Sequence, residues 1–594
     1  MDRNPSPPAP AAPKEPGTEE RVAEALSLNA QHLKTLHDNA EAMFDPFGVI
    51  APLTHANLAW LLHPQEFSER WLRFCSEFLT LQMHTAARLA GRGGADFVKP
   101  QPDDTRFADP VWSNDVPSDL AKQWYLFFTR QIEDALFDTP GLSPKERRRA
   151  AFWWRKYLNA VAPTNFLLTN PIAVRKAIES RGESLRKGFE LFLADLQAGT
   201  VRMTDPGDFK VGQNLATTPG AVVMRNRLLE LVHYAPQAGQ VHRVPVVIVT
   251  PWINKYYVLD LNPKKSMVQY LLKQGFDVYI TSWKNPGADM AEVRFDDYLL
   301  EGVDAAVRTA RELSDSDKAH LVGYCIGGTL VSTYMAWLNR RHEKREDVPV
   351  SSWTLLTTLV DFQSPGDIEV FIDEGGVRWL SDMMQKRGYL DGREMASSFR
   401  LLRSNSLIWN YVVHSWLYGE KPAPFDVLYW NMDATRMPYR MHEFYLREMY
   451  LKNNLVKGDA LTIAGEPIDL ARIHQPLYDV AAEDDHIAPW RQTFKINGYV
   501  TSPKRFVLSS SGHILGIVNP PTKPAKRKYW IGPAHRGQSA DRWRAQAEAH
   551  EGSWWEDWTR WLAERCGPLG PPPVLADERH PKLADAPGTY VLER

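Results

Sequence analysis

Between about residues 21 and 200, apolar positions recur at three- and four-residue spacing. The pattern is clearest in AWLLHPQEFSERWLRFCSEFL (59–79) and returns over 119–137 and 148–160. This is the period of a helix that buries one face, so it predicts a mostly helical N-terminal domain over 21–200. The texture changes after about residue 205. VPVVIVT (244–250) and FDVYITSW (276–283) are continuous apolar runs, as expected of strands covered on both faces of a parallel sheet. A helical pattern over 296–313 leads to a third such run, AHLVGY (319–324), and further strands are expected at 353–360, 476–482 and 504–510. Strands alternating with helices predict an α/β domain with right-handed crossovers over 201–594. Over 100 residues separate the strands near 360 and 476. They are mostly helical in pattern and rich in Trp, Tyr, Met and Arg, and they define an insertion at about 362–470. SWWEDWTRWL (553–562) reads as an aromatic amphipathic helix.

Composition narrows the picture. A chain of 594 residues exceeds one ordinary domain, and residues 1–20, rich in Pro, Ala and charge, are expected to form a disordered tail. Seventy Lys+Arg against 72 Asp+Glu give no reason to expect a nucleic-acid partner. Three scattered cysteines fit a reducing compartment rather than a disulfide framework. The N-terminus lacks a secretory h-region, and no apolar run reaches the roughly 18 residues of a transmembrane helix. A cytoplasmic protein without a transmembrane segment is therefore expected. The 21 tryptophans have two readings: a large aromatic core, or contact with apolar ligands or an apolar surface.

The candidate chemistry centres on GYCIGG, Gly323 to Gly328, with a predicted strand before it and a helical pattern after it. That context fits a nucleophile elbow, a turn so tight that only small residues fit two places either side of the nucleophile, hence Gly323 and Gly327. Cys325 stands at the apex, where the helix N-terminus favours its thiolate. The amide of Ile326 would supply half of an oxyanion hole, and the loop PWINK (251–255), through Ile253, the other half. In an α/β-hydrolase fold the order is nucleophile, acid, histidine, and an insertion placed like 362–470 is a cap over the site. Glu483, Asp484 and Asp485 follow one late strand, and His513 follows the last. Spacing alone does not choose among the three acids. His486 is a neighbour without the required order. Cys75 and Cys566 lie in helical patterns without such context and are expected to be structural.

Taken together, these segments resemble the class I polyhydroxyalkanoate synthases, from about residue 100 onward. The matching segments are FADPVW (107–112), PTNFLLTNP (163–171), VGQNLATTPG (211–220), PWINKYYVLDL (251–261), GYCIGGT and LLTTLVDF (355–362). They continue with LIWNYVV (407–413), PFDVLYWNMDAT (424–435), DHIAPW (485–490) and SGHILGIVNPP (511–521). The resemblance implies that Cys325, Asp485 and His513 are the catalytic residues, which selects Asp485 among the acids. Two positions depart from the usual pattern, Gly287 where Asp is usual and Phe295 where Trp is usual. The length and helical N-terminal region resemble the single-subunit class, and Tyr324 and Ile326 resemble its short-chain members.

What the resemblance implies is a covalent cycle on an α/β-hydrolase fold with a helical cap. Cys325 accepts the acyl group of 3-hydroxybutyryl-CoA, releases CoA, and passes the acyl group to the hydroxyl of the next unit. No cofactor or metal is expected, since CoA belongs to the substrate. The expected partners are 3-hydroxyacyl-CoA, the growing polyester, the granule surface, granule-coating proteins and a second copy in a homodimer. The alternatives are a thioesterase or polyester hydrolase with the same triad, or a non-catalytic granule-associated protein.

Overall fold

The computed structural model describes residues 50–594 apart from 93, 94 and 103. The expected tail at 1–20 and the start of the helical stretch, 21–49, lie outside the described residues.

The N-terminal pattern forms helices α1 (Pro64–Leu89), α2 (Val116–Phe137), α3 (Pro144–Ala160) and α4 (Glu183–Ala198). Local chemistry sets where they begin. Asp115 accepts a hydrogen bond from the Ser118 amide at 3.1 Å, and Ser143 with Glu146 forms a reciprocal capping box. A small core of Leu81, Trp112 and Phe127 joins α1 to α2. The outer face of α1 keeps Phe67, Trp71, Leu72 and Leu79 exposed.

These helices dock on the inserted segment. Gly188 of α4 lies so close to the backbone of Trp416 that any Cβ would collide with its carbonyl, and Asp195 accepts from the Trp416 indole at 3.0 Å. Lys156 of α3 donates to the Leu402 carbonyl at 3.0 Å, and Phe152 packs edge-on against Phe371 at 5.7 Å.

An 11-stranded sheet forms the centre of the chain. Its strands are β1 (Gly220–Arg225), β2 (Leu229–Tyr234), β3 (Val246–Val249), β4 (Val278–Trp283), β5 (Ala319–Tyr324) and β6 (Val350–Leu356). After the insertion come β7 (Leu477–Ala482), β8 (Lys504–Ser509), β9 (Lys528–Pro533), β10 (Glu548–Glu551) and β11 (Ala584–Asp585). The spatial order is β10-β9-β8-β7-β6-β5-β3-β4-β2-β1-β11. The six strands from β4 through β3, β5, β6 and β7 to β8 are parallel, and both flanks are antiparallel. This is the α/β-hydrolase sheet that the apolar runs predict. The flanking strands carry shorter or broken runs. In β2 the buried polar residues Glu230 and His233 interrupt the apolar pattern, and each is satisfied by a specific partner, Arg225 and Asp277 respectively.

Helix α5 (Ile326–Arg341) follows β5 directly. The chain expected as strand to 360 leaves the sheet at Thr357, which takes φ of 43°, and residues 357–360 pass beneath the start of α5. The insertion contributes α6 (Glu374–Arg387), α7 (Gly392–Leu402) and wide π-helical turns at Asn405–Trp409, Val412–Leu417 and Tyr445–Leu451.

The C-terminal aromatic helix is α8 (Trp555–Ala563). Trp554, Trp555, Trp558 and Trp561 are all buried there, and of the 21 tryptophans only Trp71 is exposed. Most of the tryptophans therefore build core, which accounts for the greater part of their number. No helix among the described residues is long and apolar enough to cross a membrane.

Candidate active site

The site is assembled where β5 turns into α5. Cys325 has φ of 53° and ψ of −123°, a conformation that costs a non-glycine residue about 1–3 kcal/mol. The surroundings offset that cost. The Cys325 amide donates to the Leu356 carbonyl at 2.9 Å, and its carbonyl accepts from Gly328 and Thr329 amides at 2.9 and 3.2 Å. A Cβ on Gly323 would stand 2.5 Å from the Gly328 Cα, and one on Gly327 would stand 2.5 Å from the Val249 carbonyl. Gly328 is equally constrained, because a side chain there would overlap Thr358. The close approach at Gly327 brings the first turn of α5 against the end of β3, and so brings Ile326 beside the loop that begins at Thr250.

Asp485 and His513 follow β7 and β8 and meet at the same end of the sheet. His513 Nδ1 and Asp485 Oδ2 are 2.6 Å apart, with the aspartate side chain fully buried and the imidazole 9% exposed. The other carboxylate oxygen, Oδ1, accepts the amides of Ile487 and Ala488 at 2.8 and 2.9 Å. These bonds fix the carboxylate's orientation. They also separate the three acids, since Asp484 is exposed and Glu483 faces Arg544.

The imidazole packs on the Tyr324 ring at 5.8 Å. Trp554 and Trp555 of the last helix donate their indole N–H groups to the carbonyls of Gly516 and Ile517, each at 2.9 Å, and so brace the loop carrying His513. Burial by itself would lower the His513 pKa. The charges of Asp485 and Cys325, with the hydrogen bond to Asp485, outweigh it and hold the ring well above the ordinary histidine value. The three side chains thus form one coupled unit. The neighbouring His486 is kept neutral, lowered to about 4 by burial and then by Arg403.

Ile253, the expected second oxyanion residue, is half-buried and packs with Cys325 against the same core. Its carbonyl accepts the Thr435 amide of the cap at 3.0 Å. Neighbouring Trp252 packs on Tyr298 at 5.0 Å and, edge-on, against Tyr445 at 6.3 Å.

The cap contributes residues for which the sequence carried no signal. The Tyr445 hydroxyl donates to Thr329 on the first turn of α5 at 3.1 Å, and Tyr450 packs against Phe362 at 4.8 Å. Burial pushes both phenols above the usual tyrosine range, and the charge of Cys325 adds to the effect. Only their place in an aromatic insertion hinted at them. Phe295, one of the two departures, is buried and stacks on Phe444 at 5.5 Å beneath Trp252 and Tyr445. It therefore supports the site from one layer away.

The two other cysteines differ from each other. Cys566 is buried, with its thiol pushed up to about 12 by desolvation, as a packing residue should be. Cys75 is exposed on α1. The structural expectation fails for Cys75 because its position lies on the outer face of that helix.

Comparison with known proteins gives consistent matches. The family described as "Poly-beta-hydroxybutyrate polymerase (PhaC) N-terminus" matches residues 103–271, and "alpha/beta hydrolase fold" matches 245–520. The poly(3-hydroxyalkanoate) polymerase of Methylorubrum extorquens is 38% identical, covering 96% of this chain and 97% of its own. The poly(3-hydroxyalkanoate) polymerase subunit PhaC of Cupriavidus necator is 42% identical, covering 82% of this chain and 83% of its own. Among solved structures, a carboxyl esterase from Bacillus coagulans is 11% identical with a TM-score of 0.31, covering 57% of this chain and 94% of that one. So slight a likeness carries no argument.

Proposed function

The chain belongs to the poly(3-hydroxyalkanoate) polymerases, which are acyltransferases, and we propose that it polymerises (R)-3-hydroxyacyl-CoA, in particular 3-hydroxybutyryl-CoA, through a thioester on Cys325. The observation that carries this reading is the 2.6 Å bond between His513 and Asp485, at the end of the sheet where the turn between β5 and α5 presents Cys325.

In the loading step the Cys325 thiolate attacks the substrate thioester carbonyl. The oxyanion is held by the amides of Ile326 and Ile253, the S–CoA bond breaks, and the imidazolium of His513 returns a proton to the departing CoA thiolate. In the elongation step His513 takes the proton of an incoming 3-hydroxyl. That oxygen attacks the Cys325 thioester, an ester bond forms, and the thiolate is regenerated. Asp485 orients the imidazole and stabilises its charge. Cysteine suits the cycle because exchange between two thioesters is nearly balanced, and the later oxoester is downhill.

The acyl-enzyme must be kept from water. The Tyr445, Tyr450 and Phe362 cluster beside the elbow supports the cap in that role. The reading needs no cofactor or metal. It carries a cytoplasmic location at the surface of polymer granules, a second copy in a homodimer, and granule-coating proteins as partners. The apolar side chains left exposed on the N-terminal helices, Leu61, Phe67, Trp71 and Leu72, support such contacts.

The test is purified protein given 3-hydroxybutyryl-CoA, beside Cys325→Ala. CoA release with insoluble polyester, both lost in the variant, is the expected result. Release of CoA with only free 3-hydroxybutyrate would make the enzyme a hydrolase.

A further inference from the structure

The loop after β3 ends in a set of contacts to the cap that are unusual in what they constrain. Thr435, buried at 4% exposure, touches both peptide units of Ile253. Its hydroxyl donates to the Trp252 carbonyl, and its amide donates to the Ile253 carbonyl at 3.0 Å. The Trp252 carbonyl and the Ile253 N–H belong to one planar peptide. In a trans peptide the N–H points opposite the carbonyl. A donor that holds the Trp252 carbonyl towards the cap segment therefore turns the Ile253 N–H away from that segment.

The segment bearing Thr435 is itself anchored from behind. Lys255 is nearly buried, and a buried ammonium needs acceptors. It finds Asp433 Oδ1 at 3.0 Å and the Glu593 carbonyl at 2.8 Å. Asp433 Oδ2 accepts from the Tyr257 hydroxyl at 2.9 Å, and the Trp430 indole donates to the Lys255 carbonyl at 2.6 Å. Asn285 then links the two neighbouring segments. Its amide donates to the Glu593 carboxylate at 3.2 Å, and its side-chain oxygen accepts the Arg436 amide at 2.9 Å. Residues 430–436 are thereby held on both sides of Thr435.

We infer that Thr435 is a positioning residue for acyl transfer: its hydroxyl sets the peptide plane that aims the Ile253 N–H at the oxyanion formed on Cys325. The inference rests on the polymerase reading and on Ile253 as oxyanion donor. Thr435 touches no reacting atom. It acts through the Trp252–Ile253 peptide, with Lys255 and Asp433 holding its segment.

Thr435→Val keeps the size and the backbone donor and removes only the hydroxyl. An oxyanion is needed for acyl transfer but not for alkylation of a thiolate, and this difference separates positioning from mere packing. Initial CoA release from 3-hydroxybutyryl-CoA should fall roughly 100-fold, the effect of a misplaced catalytic group. Peptide-resolved alkylation of Cys325 by iodoacetamide and the melting temperature should stay at wild-type values, and Thr435→Ser should restore the rate. A Thr435→Val rate equal to wild type would overturn the inference. So would a parallel loss of alkylation or of melting temperature, which would make Thr435 a structural residue. Absence of CoA release from the wild type itself would sink the polymerase reading, and this inference with it.

Discussion

Asp485 faces three donors: one oxygen takes two backbone amides and the other takes His513. Its charge is foremost among the influences that raise the imidazole pKa against burial, so Asp485→Asn should lower it. The sign follows from linkage. A histidine raised above its ordinary 6.5 contributes stability that is complete below that pH and is lost as pH rises through the raised value. In the variant, NMR titration of His513 should therefore give a midpoint below that of the wild type, and CoA release should fall by roughly 10²–10⁴-fold. An unshifted midpoint would mean that the carboxylate does not hold the proton on the ring. At this scale the sequence was highly legible for Cys325, Gly323 and Gly327, because a strained turn between strand and helix admits few residue types. The choice of Asp485 over Asp484 was not legible from spacing. It depends on which carboxylate receives the amides of Ile487 and Ala488, and adjacent acids look alike in a string of letters. Tyr445 and Tyr450 left no trace either, since their approach to Cys325 is a product of how the cap folds back.

Among the elements, strand β7 shows what burial on both faces does to a run of letters. Its sequence, LYDVAA, holds Asp479 in a fully buried position with no hydrogen-bond partner for either oxygen among the described residues. Desolvation raises this carboxyl well above its ordinary value of 3.8, so the folded protein keeps the proton that the unfolded chain releases. Stability therefore falls as pH rises above the unfolded value, by about 1.4 kcal/mol per unit until the folded carboxyl ionises. Asp479→Asn removes the dependence. Its advantage in urea denaturation should be larger at pH 8 than at pH 5, and an equal difference at the two values would contradict the neutral carboxyl. The parallel strands were readable because their apolar runs leave little else to be. The antiparallel flanks, β1, β2, β9, β10 and β11, were not, because their apolar runs are short or are broken by polar residues such as Glu230 and His233 in β2.

Across the whole molecule, the N-terminal helices, the cap and the C-terminal segment converge on the two loops that frame Cys325. Helices α3 and α4 grip the cap at Leu402 and Trp416, the cap grips the loop after β3 through Thr435, and α8 braces the His513 loop through Trp554 and Trp555. Sequence periodicity identified these parts separately but could not give their docking, which depends on close approaches such as that of Gly188 to Trp416. Trp554, Trp555, Trp558 and Trp561 likewise have their explanation only at this scale, as core that joins the last helix to the sheet.

The central claim is that Cys325 carries the acyl chain in a unit completed by His513 and Asp485. It is tested most directly by mixing the protein with butyryl-CoA, which can load the cysteine but has no 3-hydroxyl to extend a chain, and measuring the mass of the peptide containing Cys325 after rapid quenching. The account predicts a butyryl adduct on Cys325 in the wild type and a slower-forming one in Asp485→Asn. An adduct on Cys75 or on any other residue, with Cys325 unmodified while CoA is released, would contradict it.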